Sequence, residues 1–139
     1  MDKISKEQRH YNMAQIHGSN TELEVLVRKY LFHRGLRYRK NDKRLPGHPD
    51  IVLPKYKTVV FVNGCFWHGH ENCPYSRLPK TNTEFWRTKI QQNRNRDFEN
   101  ERQLQESGWR VLTVWGCEIK KKADKEFNLD RLFLAITTI

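Results

Sequence analysis

The chain has 139 residues, with 26 lysines and arginines against 16 aspartates and glutamates, for a net charge of +10. That length suits one domain with a single core that needs no disulfides. No apolar run approaches the roughly 20 residues that span a bilayer, and dispersed charge accompanied by aromatics favours nucleic acid over a membrane surface as partner.

The N-terminus, Met1-Asp2-Lys3-Ile4-Ser5-Lys6, has no apolar segment of the signal-peptide kind. The expectation is a cytoplasmic protein whose three cysteines are thiols or metal ligands. Residues 1–19 are polar and weakly patterned. They read either as a disordered leader or as an arm that orders on DNA and inserts a side chain such as Met13 between bases. A single domain is expected over 20–139.

In the first helix Leu23, Leu26, Val27, Tyr30 and Leu31 repeat at three and four residues, and Gly35 supplies the stop. Thr21 with Glu24 fits a capping box, the ordinary role for such a glutamate. Leu36-Arg37-Tyr38-Arg39-Lys40 alternates as a strand does, and Lys43–Pro49 forms a basic loop. Asp50 opens a strand, Ile51-Val52-Leu53, which turns through Pro54–Lys57 into the strand 58–62. Alone, such an aspartate is a turn residue. The same framework also carries the first carboxylate of many metal-dependent nucleases, which add D/E-x-K on the next strand. Here those positions read Phe61-Val62-Asn63, so that generic template is incomplete.

Gly64 ends the strand. Within the next nine positions the chain places Cys65, Phe66, Trp67, His68, His70 and Cys73, a crowding of ligands, a titratable base and exposed-looking rings in one loop. Thr83 can cap a long helix reaching about Ser107 and closed by Gly108. Trp86, Ile90, Asn93, Asp97, Glu101 and Leu104 share one stripe of it. Asn93 and Asp97 therefore sit on the inward face, where polar groups must be hydrogen-bonded, and either knit the fold or reach a site. Trp109–Trp115 is a third good strand ending at Gly116-Cys117. Lys120–Lys122 reads as a solvated run, and Asn128 as the cap of a short closing helix carrying Leu129, Leu132, Phe133 and Ile136. These elements predict a mixed α/β fold of one sheet flanked by helices.

Cys65, His70, Cys73 and Cys117 form a Cys3His set suited to tetrahedral zinc. The four tie a loop to the end of a later strand, as a closed structural site does. His68 is then spare for chemistry.

Asn63-Gly64-Cys65-Phe66-Trp67-His68-Gly69-His70, Cys73, Thr83-Glu84-Phe85-Trp86, Arg96-Asp97 and Gly108–Cys117 resemble the very-short-patch repair (Vsr) DNA mismatch endonucleases. Leu45-Pro46-Gly47-His48-Pro49-Asp50 and Asn12-Met13 resemble that family too, so the likeness runs from about residue 9 to 118. It implies a restriction-endonuclease-like core, a structural Zn2+, and Mg2+-dependent nicking 5′ to the thymine of a T:G mismatch left by deamination of 5-methylcytosine. By position, Asp50 corresponds to the Mg2+-binding carboxylate, and the Val62 backbone carbonyl to the second protein ligand. His68 corresponds to the general base, Asp97 to its orienting partner, and Glu24 to the acidic residue that holds water at the metal. Phe66, Trp67, Trp86 and Met13 match the residues that wedge into the base stack. Cys65, His70, Cys73 and Cys117 match the zinc ligands.

Asn63 departs from the family's histidine near the scissile phosphate; it can donate a hydrogen bond but cannot titrate. Val62 stands in place of a threonine, and Gly69 and Glu71-Asn72 break the histidine run. The chemistry agrees with the resemblance. A divalent ion polarises the phosphate and lowers the pKa of attacking water, magnesium takes only one or two protein carboxylates, and a histidine can accept the proton without a lysine. The expected partner is double-stranded DNA with a T:G mismatch, met by a monomer in the context of mismatch-repair proteins and a cytosine-5 methyltransferase. Two other readings compete with this one. One is an endonuclease of the same fold with broader mismatch or restriction-type specificity; the other is a non-catalytic zinc-stabilised DNA-binding module.

Overall fold

The computed structural model describes residues 22–138. Helix α1 (Glu22–His33) leads through a loop to β1 (Arg39–Lys40), and β2 (Ile51–Leu53) and β3 (Thr58–Asn63) follow across a short 3-10 turn at Pro54–Tyr56. After a second such turn, Pro74–Ser76, come the long helix α2 (Thr83–Glu106), β4 (Arg110–Trp115), α3 (Gly116–Lys120) and α4 (Lys122–Thr137). The strands form one mixed sheet in the order β1-β2-β3-β4. The first two pairings are antiparallel, whereas β3 and β4 run parallel, Val59 opposite Val111 and Asn63 opposite Trp115. A parallel pair needs a crossover, and α2 supplies it.

Side chains alternate across the sheet, so each strand feeds two cores. Ile51, Leu53, Val60, Val62 and Val114 pack with Val27 and Leu31 of α1, Ile119 of α3, and Leu129, Leu132 and Ile136 of α4. Val52 and Val59 turn to the opposite face and pack with Leu104 of α2, joined by Phe61, Trp109 and Val111. The sheet is therefore sandwiched between α1 with α3 and α4 on one side and α2 on the other. Arg110 ties the layers together. Its Nε donates to Thr58 Oγ1 at 3.1 Å and its Nη2 to the Ile136 carbonyl at 2.6 Å, satisfying the end of α4.

The mixed α/β sheet flanked by helices is the architecture expected, with several local corrections. The strand predicted over 36–40 shrinks to Arg39–Lys40, because the Leu36 N–H bonds back to the Leu31 carbonyl and is spent on closing α1. Thr83 is the first residue of α2 rather than its cap. Its hydroxyl donates to the Pro79 and Lys80 carbonyls, and Asn82 occupies the cap position. The closing helix starts at Lys122, ahead of Asn128, whose amide instead donates to the Glu118 carbonyl. Lys120 and Lys122 are absorbed into α3 and α4, the former a helix that the pattern of residues did not announce. Thr21 of the expected capping box, Met13 and the whole of the 1–19 arm lie outside the described residues. Among the described residues, no helix is long and apolar enough to cross a membrane.

Leu104 is fully buried and joins α2 to the sheet. Leu104→Ala is expected to lower stability by about 2–4 kcal/mol through lost burial and a residual cavity, read as a depressed midpoint in urea unfolding. A loss under about 0.5 kcal/mol would show that α2 does not depend on this contact.

Candidate active site and metal centre

Because β3 and β4 run parallel, the residues after both of their C-terminal ends meet on one side of the molecule. Cys65 lies just past β3, and Cys117 is the second residue of α3, which starts directly after β4. The loop then returns His70 and Cys73, so that one ligand atom from each of these four residues lies within 4.8 Å of the others. That spacing accommodates a central ion about 2.0–2.3 Å from nitrogen and sulfur in tetrahedral geometry. Backbone and rings hold the donors in place. The Cys117 N–H donates to Cys65 Sγ at 3.3 Å, Cys117 Sγ is 3.5 Å from His70 Nδ1, and the His70 ring stacks on Trp115 at 4.1 Å and 6°. Burial, together with the neighbouring thiols, pushes the Cys65 thiol up to about 12. A bound divalent ion would displace that proton, since the ligand form of cysteine is the thiolate.

The same loop packs on α2. Gly69 has φ +60°, and a Cβ there would lie 2.6 Å from Ile90 Cγ2 and 2.8 Å from Arg94 Cδ, so only glycine lets the loop approach so closely. Asn93, buried on the inward stripe, donates from Nδ2 to the Trp67 carbonyl at 2.9 Å. These contacts set His68 against the helix, where its Nδ1 lies 2.5 Å from Asp97 Oδ2. A carboxylate only accepts, so this contact assigns the imidazole proton to Nδ1 and leaves Nε2 as the basic nitrogen.

Across the cleft, Asp50 precedes β2 and accepts the Val62 N–H at 2.6 Å through Oδ2. Glu24 is buried on α1, 3.9 Å from Arg28 Nη1, and shares a hydrogen bond with Asp50. Burial first, and then this neighbouring carboxyl, push Asp50 up to about 8. Two adjacent carboxylates that hold a proton between them are hard oxygen donors suited to a divalent cation such as magnesium.

Glu24, Asp50, Val62, Asn63, Trp67, His68 and Asp97 line one cleft of about 630 Å3. A second hollow of about 470 Å3 adjoins it on the far side of Asn63, His68 and Asp97, between α2 and β4. The residues singled out in the sequence as chemical are thus brought together, with the zinc-type cluster beside them. Asn63 is buried at the end of β3, opposite Trp115. The aromatics differ from their exposed reading. Trp67 and Trp86 are buried, and together with half-buried Phe66 they pack edge to face with centroids 5.5–5.6 Å apart. Phe85, which the sequence reading passed over, is 48% exposed beside Trp86. Lys43, His48, Arg96 and Asn100 also line the main cleft. Lys43 and His48 belong to the basic loop, and His48 and Arg96 to motifs that resemble the family; Asn100 carried no signal of its own in the sequence.

Comparison with known proteins identifies the family. The sequence pattern of the family described as DNA mismatch endonuclease Vsr matches residues 1–74. The chain is 53% identical to the type II nicking enzyme V.NmeAIP of Neisseria meningitidis serogroup A over 94% of its own length and 93% of that protein. It is 48% identical to the type II nicking enzyme V.XorIIP of Xanthomonas oryzae pv. oryzae over 92% of this chain and 93% of the relative. It is 43% identical to the DNA mismatch endonuclease Vsr of Escherichia coli over 94% and 85% of the two chains. A basic α/β protein with these relatives is a DNA endonuclease. The chain belongs to the Vsr family.

Two outcomes test the site. Asp50 has its folded pKa raised from 3.8 to about 8, so its favourable contribution is complete below pH 4 and is lost as pH rises towards 8. In magnesium-free buffer Asp50→Asn should therefore gain on the parent at pH 8, by a few kcal/mol at most, and lose that advantage near pH 4; parallel melting curves across this range would refute the raised pKa. Metal analysis should find about one zinc per chain, with chelation lowering the melting temperature. A zinc-free protein of undiminished stability would remove the metal centre.

Proposed function

We propose that the chain nicks one DNA strand 5′ to the thymine of a T:G mismatch arising from deamination of 5-methylcytosine, and so opens very-short-patch repair. The observation that carries this reading is the facing of two pairs across one cleft, Glu24 with Asp50 and His68 with Asp97. The name of the Escherichia coli relative supplies the mismatch. We take residues 20–139 as one restriction-endonuclease-like catalytic domain and 1–19 as a DNA-contacting arm, acting as a cytoplasmic monomer beside mismatch-repair proteins and a cytosine-5 methyltransferase.

In this mechanism Asp50 and the Val62 carbonyl hold Mg2+, which when bound polarises the scissile phosphate and makes the attacking water more acidic. His68 Nε2 accepts the proton of that water, and Asp97 keeps the opposite nitrogen protonated and the ring oriented. Glu24 orients water, and Asn63 donates a hydrogen bond towards the phosphate. Cys65, His70, Cys73 and Cys117 hold Zn2+ as a brace, fixing the loop that carries His68. Phe66, Trp67 and Trp86 form the wedge, with Met13 entering from the other groove. Unstacking costs a few kcal/mol and is least costly at a badly paired step, which suits a mismatch as target.

Two observations favour a broader specificity. Asn63 cannot titrate, and several relatives are named as nicking enzymes without mention of a mismatch. Nicking of a panel of duplexes differing only in the central pair separates the two readings. T:G should be cut at least tenfold faster than matched DNA, Asp50→Ala should abolish cutting while retaining binding, and equal cutting of T:G and matched duplexes would sink the mismatch reading. Absence of Mg2+-dependent nicking by the parent protein would leave only a binding module.

A further inference from the structure

The segment from Arg37 to Arg44 carries five basic residues and one acidic one. It forms β1 and the start of the β1–β2 loop, on an outer strand of the sheet among the described residues. Arg37, Arg39, Lys40, Lys43 and Arg44 are all exposed. Charge runs of this sort are commonly just solvated, and three features argue for more here. The acidic member does not neutralise the run evenly. Asp42 is committed to Arg44, accepting from its backbone N–H, Nε and Nη2 at 2.9–3.0 Å. Those bonds, with Arg39 nearby, hold the Asp42 carboxyl at about 2. Among the described residues, Arg39, Lys40 and Lys43 have no carboxylate within ion-pair distance. The loop is also shaped rather than slack: Asn41 and His48 have φ of +49° and +47°, and the Asn41 N–H bonds the Asp50 carbonyl at 3.1 Å. Finally, the run leads into the cleft, whose wall includes Asn41, Lys43 and His48 beside Asp50 and His68.

We propose that β1 and the β1–β2 loop form a DNA-backbone track, in which Arg39, Lys40 and Lys43 receive successive phosphates flanking the scissile position and so set the register of the duplex over Asp50. The partner chemistry is the polyanionic backbone. Contacts of this type position the duplex and carry no base information. The track rests on the DNA-endonuclease assignment and not on the mismatch, so it serves matched and mismatched duplexes alike.

The test is the salt dependence of binding, measured by fluorescence anisotropy in Ca2+ buffer on a T:G duplex and its matched counterpart. Each phosphate contact adds about 0.9 to the slope of log affinity against log salt. Arg39→Gln/Lys40→Gln/Lys43→Gln should therefore flatten that slope by about 2.7, equally on both duplexes and without lowering the melting temperature. Arg39→Lys should keep the parent slope, since the charge is retained. Lys121→Gln/Lys122→Gln, a basic pair at the start of α4, serves as the comparison and should leave the slope unchanged. An unchanged slope in the triple variant overturns the track. So does an equal loss in the comparison variant, which would mean diffuse charge, or a loss confined to the T:G duplex, which would mean base contact. Random cutting around the mismatch by the parent protein would count against the mismatch reading and leave this slope intact.

Discussion

The site depends on one constraint, the parallel register of β3 and β4. With Asn63 opposite Trp115, two strands end at the same level and release their chains on the same side. Cys65 and Cys117 can then share one cluster although 52 positions separate them, and His70 can lie flat on Trp115. An antiparallel pair would send the two chain ends to opposite sides of the sheet. The crossover that permits the parallel arrangement is α2, and α2 also carries Asn93 and Asp97. The element required by topology is therefore the one that brings the carboxylate to His68.

The loop after β3 separates support from chemistry by interleaving them. Ligand-type residues at 65, 70 and 73 face the cluster, while Trp67 and His68 between them face α2. A histidine held on Nδ1 by a carboxylate, on a loop packed against α2, has little orientational freedom left to lose. Asp50 is poised differently. Its hydrogen bond from the Val62 N–H favours the charged form, while burial and Glu24 oppose it more strongly. A carboxyl pair left in that state gains from a cation, which replaces a shared proton and relieves the like-charge repulsion.

Much of this was legible in the sequence because it rests on spacing. The strand over 58–62, the long helix with its polar inward stripe and the four ligand-type residues follow from period, composition and clustering. The joining of Glu24 to Asp50 was not legible. A glutamate three residues after a threonine fits a cap equally well, and only the packing of α1 against the sheet decides its partner. Helix α3 escaped because Gly116 opens it, and glycine is read as a stop. The loop aromatics misled for a related reason. Large rings in a loop suggest exposure, yet the loop returns onto α2 and buries Trp67 and Trp86 against each other.

That burial bears on how such a wedge can work. Rings that stood free in solvent would lose rotamer freedom on entering a base stack, a cost of the order of 0.5–1.5 kcal/mol for each side chain immobilised. Here Phe66, Trp67 and Trp86 are already locked edge to face, and Asn93 fixes the backbone beneath them. The ordering is met on folding, so the cost left at binding is unstacking of the DNA itself. That cost varies with the base pair, being smallest where pairing is poor. If these rings form the wedge of the proposed function, their rigidity would make discrimination depend on the deformability of the DNA rather than of the protein, with no titratable side chain needed at Asn63.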